Sequence, residues 1–320
     1  MKFVESLKSR YPGIVLRGMA MGAADVVPGV SGGTIAFITG IYQELLDSLS
    51  RIGPHCVTIL RKEGVAATWK YINGGFLLSL FLGVLISIFS LARLIGGLLE
   101  NYPIVVWSFF FGLVLASTIP VMRNIPRWSP SVLVFLILGI ALAVTVSELR
   151  PGEIPATPLT LFLSGALAIC AMALPGISGA FILLMIGIYP KVLSAVHELQ
   201  IANLLYFATG AAIGLMLFSR LLSWLMHRYA ARTLAFLAGI LLGSLKIIWP
   251  WKLPIPGDLE PSSKLAPLLS NTTPSDFVAQ TGEAAHLGAA VAAALAAVIL
   301  VLSIDFFGGP HRGRSCATPQ

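Results

Sequence analysis

Asp25-Val26-Val27-Pro28-Gly29-Val30-Ser31-Gly32-Gly33-Thr34 lies in the middle of the apolar run 18–43, and Leu174-Pro175-Gly176-Ile177-Ser178-Gly179-Ala180 lies in the middle of a second, 159–189. Proline removes a backbone donor and clashes with the preceding turn, while glycine opens dihedrals closed to other residues. The pairs Pro28-Gly29 and Pro175-Gly176 therefore break both runs into half-helices of about 10 to 15 residues, and half of a ~30 Å hydrocarbon core needs only about 10. The two runs also align with each other. Pro28 to Gly32 matches Pro175 to Gly179 at an offset of 147 (175 minus 28), and Gly40-Ile41-Tyr42 matches Gly187-Ile188-Tyr189 at the same offset. Beyond a hydrophilic insertion before Gly74 the likeness continues at an offset of 127 (204 minus 77). There Leu77, Gly83, Arg93, Leu98, Tyr102, Phe109 and Gly112 fall on Leu204, Gly210, Arg220, Leu225, Tyr229, Phe236 and Gly239. A register that pairs arginines and tyrosines as well as leucines and glycines reads as an internal duplication.

Outside the broken runs, six uninterrupted apolar segments remain, at 74–99, 104–122, 131–147, 201–226, 233–249 and 287–304. Of the 320 residues, 57% are hydrophobic and 11% charged, where an ordinary soluble domain carries roughly 25% charged residues, and the mean hydropathy is +0.88. That excludes a soluble globular protein and predicts an all-α polytopic membrane protein. The net charge of +7 does not point to nucleic acid, because the basic residues sit in short segments between apolar runs. If both broken runs turn back as re-entrant hairpins, Lys2, Lys8, Arg10, Arg17, the 51–70 loop, Arg123, Arg127, Arg228, Arg232, Arg312 and Arg314 share one face. By the positive-inside rule that face is cytoplasmic, with both termini on it.

The expected organisation is a cytoplasmic tail 1–17, repeat 1 over 18–150 (hairpin 18–50), repeat 2 over 151–305 (hairpin 159–190), an external loop 250–284 with little chemistry, and a cytoplasmic tail 306–320. Each unit is one broken-helix hairpin plus three transmembrane helices. An odd number of crossings inverts the second unit relative to the first, an arrangement recurrent in secondary transporters, whose sites lie near the midplane. Cys56, Cys170 and Cys316 are isolated, with neither disulfide nor metal-ligand spacing, so no metal or other cofactor is expected.

Few residues in such a chain can do polar chemistry. Ser31-Gly32-Gly33-Thr34 and Ser178-Gly179-Ala180 each follow a break and open a helix. A serine N-cap followed by small residues leaves the first N–H groups accessible, and a helix N-terminus favours anions. The alternative is that the serines cap only their own helices and the glycines serve helix packing. Arg93 and Arg220 are repeat mates near opposite faces. They either snorkel to the interface or receive an anionic group, each at its own leaflet. Asp25 has no acidic repeat mate, since its register partner is Met172. It is a candidate for coupling to a proton or sodium gradient, or for an ion pair with Arg17. Glu44 and Asp47 read as solvated surface groups, and Lys246 as an interfacial anchor.

The doubled motif, Asp25 to Ala36 with Gly40-Ile41-Tyr42 and its echo Leu174 to Gly179 with Gly187-Ile188-Tyr189, resembles the bacterial polyprenyl-phosphate transporter family, formerly a domain of unknown function. The resemblance runs from about Arg17 to Asp305. It implies a translocase, not an enzyme, that returns undecaprenyl phosphate from the outer to the inner leaflet of the cytoplasmic membrane for envelope polymer synthesis. Gln43 and Pro190 depart from the acidic residue expected after each tyrosine. The competing readings are a small-anion or ion-coupled transporter and a membrane polyprenyl-pyrophosphate phosphatase. The latter wants a basic residue after the serine and acidic residues nearby, where this chain has Gly32-Gly33 and Gly179-Ala180.

Overall fold

The computed structural model describes residues 2–25, 30–148, 154–254 and 269–307. The helices, in order, are α1 (Lys2–Asp25), α2 (Gly32–Ile38), α3 (Tyr42–Ser50), α4 (Pro54–Tyr71), α5 (Gly74–Asn101), α6 (Pro103–Arg123), α7 (Pro130–Glu148), α8 (Pro158–Ala173), α9 (Gly179–Met185), α10 (Tyr189–His197), α11 (Ile201–Arg228) and α12 (Ala230–Ser244). Two short strands, β1 (Lys252–Pro254) and β2 (Leu269–Asn271), precede α13 (Pro274–Thr281) and α14 (Leu287–Phe307). Five helices, α5, α6, α7, α11 and α14, are long and apolar enough to cross a membrane.

The sixth expected span, 233–249, is shorter than its hydropathy suggested. α12 has 15 residues, about 22 Å of helix by rise per residue. It ends where Leu245, Lys246 and Ile247 bond back three residues to Leu242, Gly243 and Ser244 and tighten the turn. Its Ala235, Leu237, Ala238, Ile240 and Leu241 are completely buried, so it is a core helix surrounded by protein. α6 is its companion at the centre of the main hydrophobic cluster.

Four helix pairs make the most extensive seams: α1 with α5, α8 with α11, and the two central helices each with a partner, α12 with α7 and α6 with α14. Each seam rests on a close backbone approach. A Cβ on Gly83 would fall 2.1 Å from the Val15 carbonyl oxygen and one on Gly18 2.2 Å from that of Leu80; one on Gly210 would fall 1.9 Å from the Phe162 oxygen and one on Gly165 2.2 Å from that of Phe207. Gly239 and Gly112 serve the other two seams in the same way, against Leu136 and Ala294. With no hydrophobic driving force between helices in lipid, such contacts supply association through packing.

Both broken runs have the same local sequence of elements. A long first arm (α1 or α8) leads to a seven-residue helix (α2 or α9), then a glycine corner, then a nine-residue helix (α3 or α10). The corners are Gly40 and Gly187, at φ of 71° and 69°, where only glycine is unstrained. At the second of them α9 and α10 meet at 105°. The second arms are thus shorter than the 10 to 15 residues expected, because the chain turns a second time. The boundary expected between tail and first hairpin falls inside α1, which runs through Pro12 without a break. Pro28 and Gly29 lie outside the described residues.

Two segments expected as loops carry structure. Residues 54–71 form α4, two short helical pieces joined at a kink at Gly64 (φ 83°), in which Val57, Leu60, Val65 and Trp69 are exposed beside Arg61, Lys62 and Lys70, as in helices lying in a membrane interface. In the segment expected as the 250–284 loop, the described residues form the β1–β2 antiparallel pair and α13. Their Trp251, Leu253 and Phe277 pack on Ile104 of α6 and Ala290 of α14. The indole N–H groups of Trp249 and Trp251 donate to Thr272 and Ala285 carbonyls, and the Lys252 ammonium stands 4.6 Å from the Trp107 ring centroid. Burial there lowers the Lys252 pKa to about 8.

Candidate functional site

The two broken runs meet. Ser31, the N-cap of α2, accepts from Gly33 N–H at 3.1 Å and donates to the Met172 carbonyl at the end of α8, also at 3.1 Å. Thr34 Oγ1 accepts from Gly176 N–H at 2.9 Å, and Tyr42 O–H donates to the Ala173 carbonyl at 2.8 Å. Three side chains of the first run therefore hold the backbone of the second across residues 172–176. Ser31, Thr34 and Tyr42 are almost wholly buried, and Gly176, at φ of 88°, turns against Ser244 and Leu241 of α12.

Most of the expected binding residues are enclosed at this junction. Ser31, Gly32, Gly33, Thr34, Ser178 and Gly179 are buried, and Ala180 is exposed. The α2 N-terminus already has an acceptor: Asp25 Oδ1 accepts from Gly32 N–H at 2.7 Å. Asp25 makes no ion pair with Arg17, which is exposed two turns earlier on the same helix. Ser178 caps α9 more loosely, accepting from Phe181 N–H at 3.5 Å. A Cβ on Gly32 would meet the Asp25 carboxylate at 2.7 Å, and one on Gly179 the Ala168 carbonyl at 2.4 Å, so both glycines also serve packing. Pro175 is buried beside Gly176.

Arg220 is committed to backbone. Its Nε donates to the Ser50 carbonyl at 3.0 Å and its Nη2 to that of Ile52 at 3.1 Å, capping the carboxyl end of α3. The Arg93 side chain lies outside the described residues. Glu44 and Asp47, read above as solvated, are bonded on α3. Glu44 receives Arg10 of α1 at 2.5 Å and Asn73 at 2.8 Å, while Asp47 receives Ser223 of α11 at 2.6 Å with His227 at 3.9 Å. Their partners come from helices distant in sequence, while both carboxylates stay about a third exposed, at 31% and 29%. Lys246, in the tightened turn after α12, pairs with Glu148 at the end of α7.

Tyr42, Arg10, Asn73 and Ser223 were not singled out from the sequence. Only Tyr42 carried a signal, the repeated Gly-Ile-Tyr. Its mate Tyr189 is 40% exposed, so the two copies have different surroundings. A cavity of about 590 Å³ lies between α7, α11 and α12, and Leu174, next to the second break, is part of its wall.

A family model described as VCA0040-like, undecaprenyl phosphate translocase-like, matches residues 21–262. A polyprenyl-phosphate transporter of Vibrio cholerae serotype O1 is 48% identical over 296 residues, covering 92% of this chain and 96% of the relative. A polyprenyl-phosphate transporter of Staphylococcus aureus is 31% identical over 255 residues, covering 74% and 85%. No solved structure matches the chain.

Proposed function

The chain belongs to the undecaprenyl phosphate translocase-like family, and from that premise we propose that it carries polyprenyl phosphate across the bacterial cytoplasmic membrane, returning the lipid from the outer to the inner leaflet for envelope polymer synthesis. The observation that carries this reading is the 48% identity to a polyprenyl-phosphate transporter over nearly the full length of both chains. The lipid's isoprenoid tail can stay in hydrocarbon, but its phosphate needs a polar path. The buried hydrogen-bonded junction of the two broken runs supplies polar groups within an otherwise apolar bundle.

The transporter architecture is two inverted units, each a re-entrant hairpin plus three spans, with both termini cytoplasmic. The glycine seams support it. Gly18 and Gly83 pack α1 on α5 as their register mates Gly165 and Gly210 pack α8 on α11, and Gly112 and Gly239 are mates in the remaining seams. The matched seven- and nine-residue helices around Gly40 and Gly187 support it further.

Asp25 takes the coupling role in this reading. Its carboxylate occupies the place at Gly32 N–H that an arriving phosphate would take. Protonation of Asp25, or its neutralisation by a sodium ion, weakens its hold on that donor and removes the like charge, so the coupling ion and the phosphate move together. Ser31, Gly33, Thr34, Ser178, Gly179 and Ala180 are the remaining groups at the junction for the phosphate to pass, with Arg93 serving the outer face.

The cellular test is the amount of polyprenyl phosphate exposed on the outer leaflet of a strain depleted of this chain. Depletion is expected to raise it, and wild-type chain, but not Ser31→Arg, to restore it. Equal exposure in depleted and complemented cells removes the proposal.

A further inference from the structure

The cavity between α7, α11 and α12 has the volume of a small-ligand site, for which roughly 300–1,000 Å³ is usual. Phe135, Phe218, Leu221, Trp224 and Phe236 form its walls, and every lining residue but Arg232 is uncharged. Leu221 is 48% and Trp224 54% exposed, so the cavity opens on the outside of the bundle. Arg232 is itself exposed and stands 5.8 Å from the Tyr229 ring centroid. Leu174 ties the same cavity to the second hairpin, one residue before Pro175. One groove therefore reaches from the polar junction to a cation at the turn between α11 and α12.

The repeat shows that the cation is an addition and not part of the framework. At the 127-residue offset Tyr229 and Phe236 have the aromatic mates Tyr102 and Phe109, whereas Arg232 falls on Val105. At the corresponding end of the first unit, Lys252 sits over Trp107, and Trp251, Leu253 and Phe277 pack with Ile104 of α6. One unit has an open groove with a basic residue, and the other is covered.

We propose that this groove seats the phosphate-proximal isoprenoid units of the carried lipid, with the phosphate held at Arg232 beside Tyr229 on the cytoplasmic side. The inference rests on the polyprenyl-phosphate reading and adds the place where the lipid is held. A single cation with no acidic neighbour in the wall complements a phosphate, which an arginine binds through charge-assisted hydrogen bonds. The wide aromatic wall suits a methyl-branched, unsaturated chain more than a zwitterionic phospholipid, whose headgroup would bring its own cation to Arg232. A hydrocarbon chain lying there is in contact with apolar surface along its length.

The test is photolabelling of the full chain in phosphatidylcholine nanodiscs with a polyprenyl phosphate carrying a photoreactive group on an isoprene near the phosphate. Label is expected on α11 and α12, at residues of the groove wall. Leu221→Trp, which fills the groove from an exposed position, is expected to cut labelling about tenfold, and Arg232→Gln by a similar factor, the loss expected for one hydrogen bond to a charged group. Circular dichroism and elution volume show that both variants are folded. Label confined to other helices, labelling unchanged in Leu221→Trp, or displacement by phosphatidylglycerol as effective as by unlabelled polyprenyl phosphate overturns the groove assignment. Absence of any label, with no binding of the lipid to wild-type chain, removes the functional reading as well.

Discussion

Alanine at position 220 is expected to lower the stability of the folded chain by roughly 3 kcal/mol, because two charge-assisted hydrogen bonds are lost together, each worth about 1.5–3 kcal/mol when a charged group donates. Arg220 reaches from α11 to the carbonyls of Ser50 and Ile52, so the substitution also releases the carboxyl end of α3. Lysine keeps the charge but not the two-pronged geometry, and is expected to recover only part of the loss. Gly53→Ala provides an independent check: its Cβ would fall 1.7 Å from Arg220 Nη2 and push the guanidinium off both carbonyls. Thermal unfolding in detergent, followed by intrinsic fluorescence, measures all three variants. The transport assay separates this positioning role from direct contact with phosphate. If Arg220 only holds α3, transport per folded molecule stays close to wild type in Arg220→Lys; if it receives the phosphate, transport falls in protein that is fully folded.

The second large effect is expected at the hairpin junction. Thr34→Val keeps the side-chain shape but removes the acceptor for Gly176 N–H, and a buried donor left unpaired costs about 1–3 kcal/mol. Tyr42→Phe removes the bond to Ala173 only three residues away on the same strand of backbone. The two substitutions act on one short segment and are expected to be non-additive, the double variant losing less than the two single losses combined. Gly176 depends on that support, since it turns at a positive φ against α12. In reconstituted vesicles Thr34→Val is expected to slow lipid-phosphate movement about tenfold or more, equivalent to a barrier ~1.4 kcal/mol higher. Wild-type transport in the folded double variant shows that the junction carries no part of the phosphate's path.

Five spans were legible in the sequence to within a few residues because long apolar runs with charged ends admit little else. α12 was overshot because Leu245, Ile247, Ile248 and Trp249 extend the apolar run around Lys246, and hydropathy does not register a tightened turn. The second Pro-Gly break was legible for its backbone chemistry, whereas the glycine corners at Gly40 and Gly187 were seen only as alignment marks. α4 was passed over because its charges made the 51–70 segment look like a hydrophilic insertion, although Val57 and Leu60 before the Gly64 kink and Val65 and Trp69 after it are apolar. At the junction, Ser31 and Thr34 were singled out but not their acceptor and donor, Met172 and Gly176, which lie more than 140 residues away. Asp25 was recognised as costly, and the sequence suggested Arg17 as its partner. A backbone N–H seven residues ahead proved the closer acid-stabilising group. Backbone partners leave no residue-type signal, and that one fact accounts for Asp25, Arg220 and Tyr42 alike.

The most direct measurement is transbilayer movement of polyprenyl phosphate in vesicles containing the purified chain, read as the fraction of lipid phosphate accessible to an impermeant reagent over time. The account predicts faster movement than in protein-free vesicles, slowing in Thr34→Val, with no inorganic phosphate released from the lipid or its pyrophosphate. Movement no faster than in protein-free vesicles, or phosphate release from the pyrophosphate lipid, contradicts it.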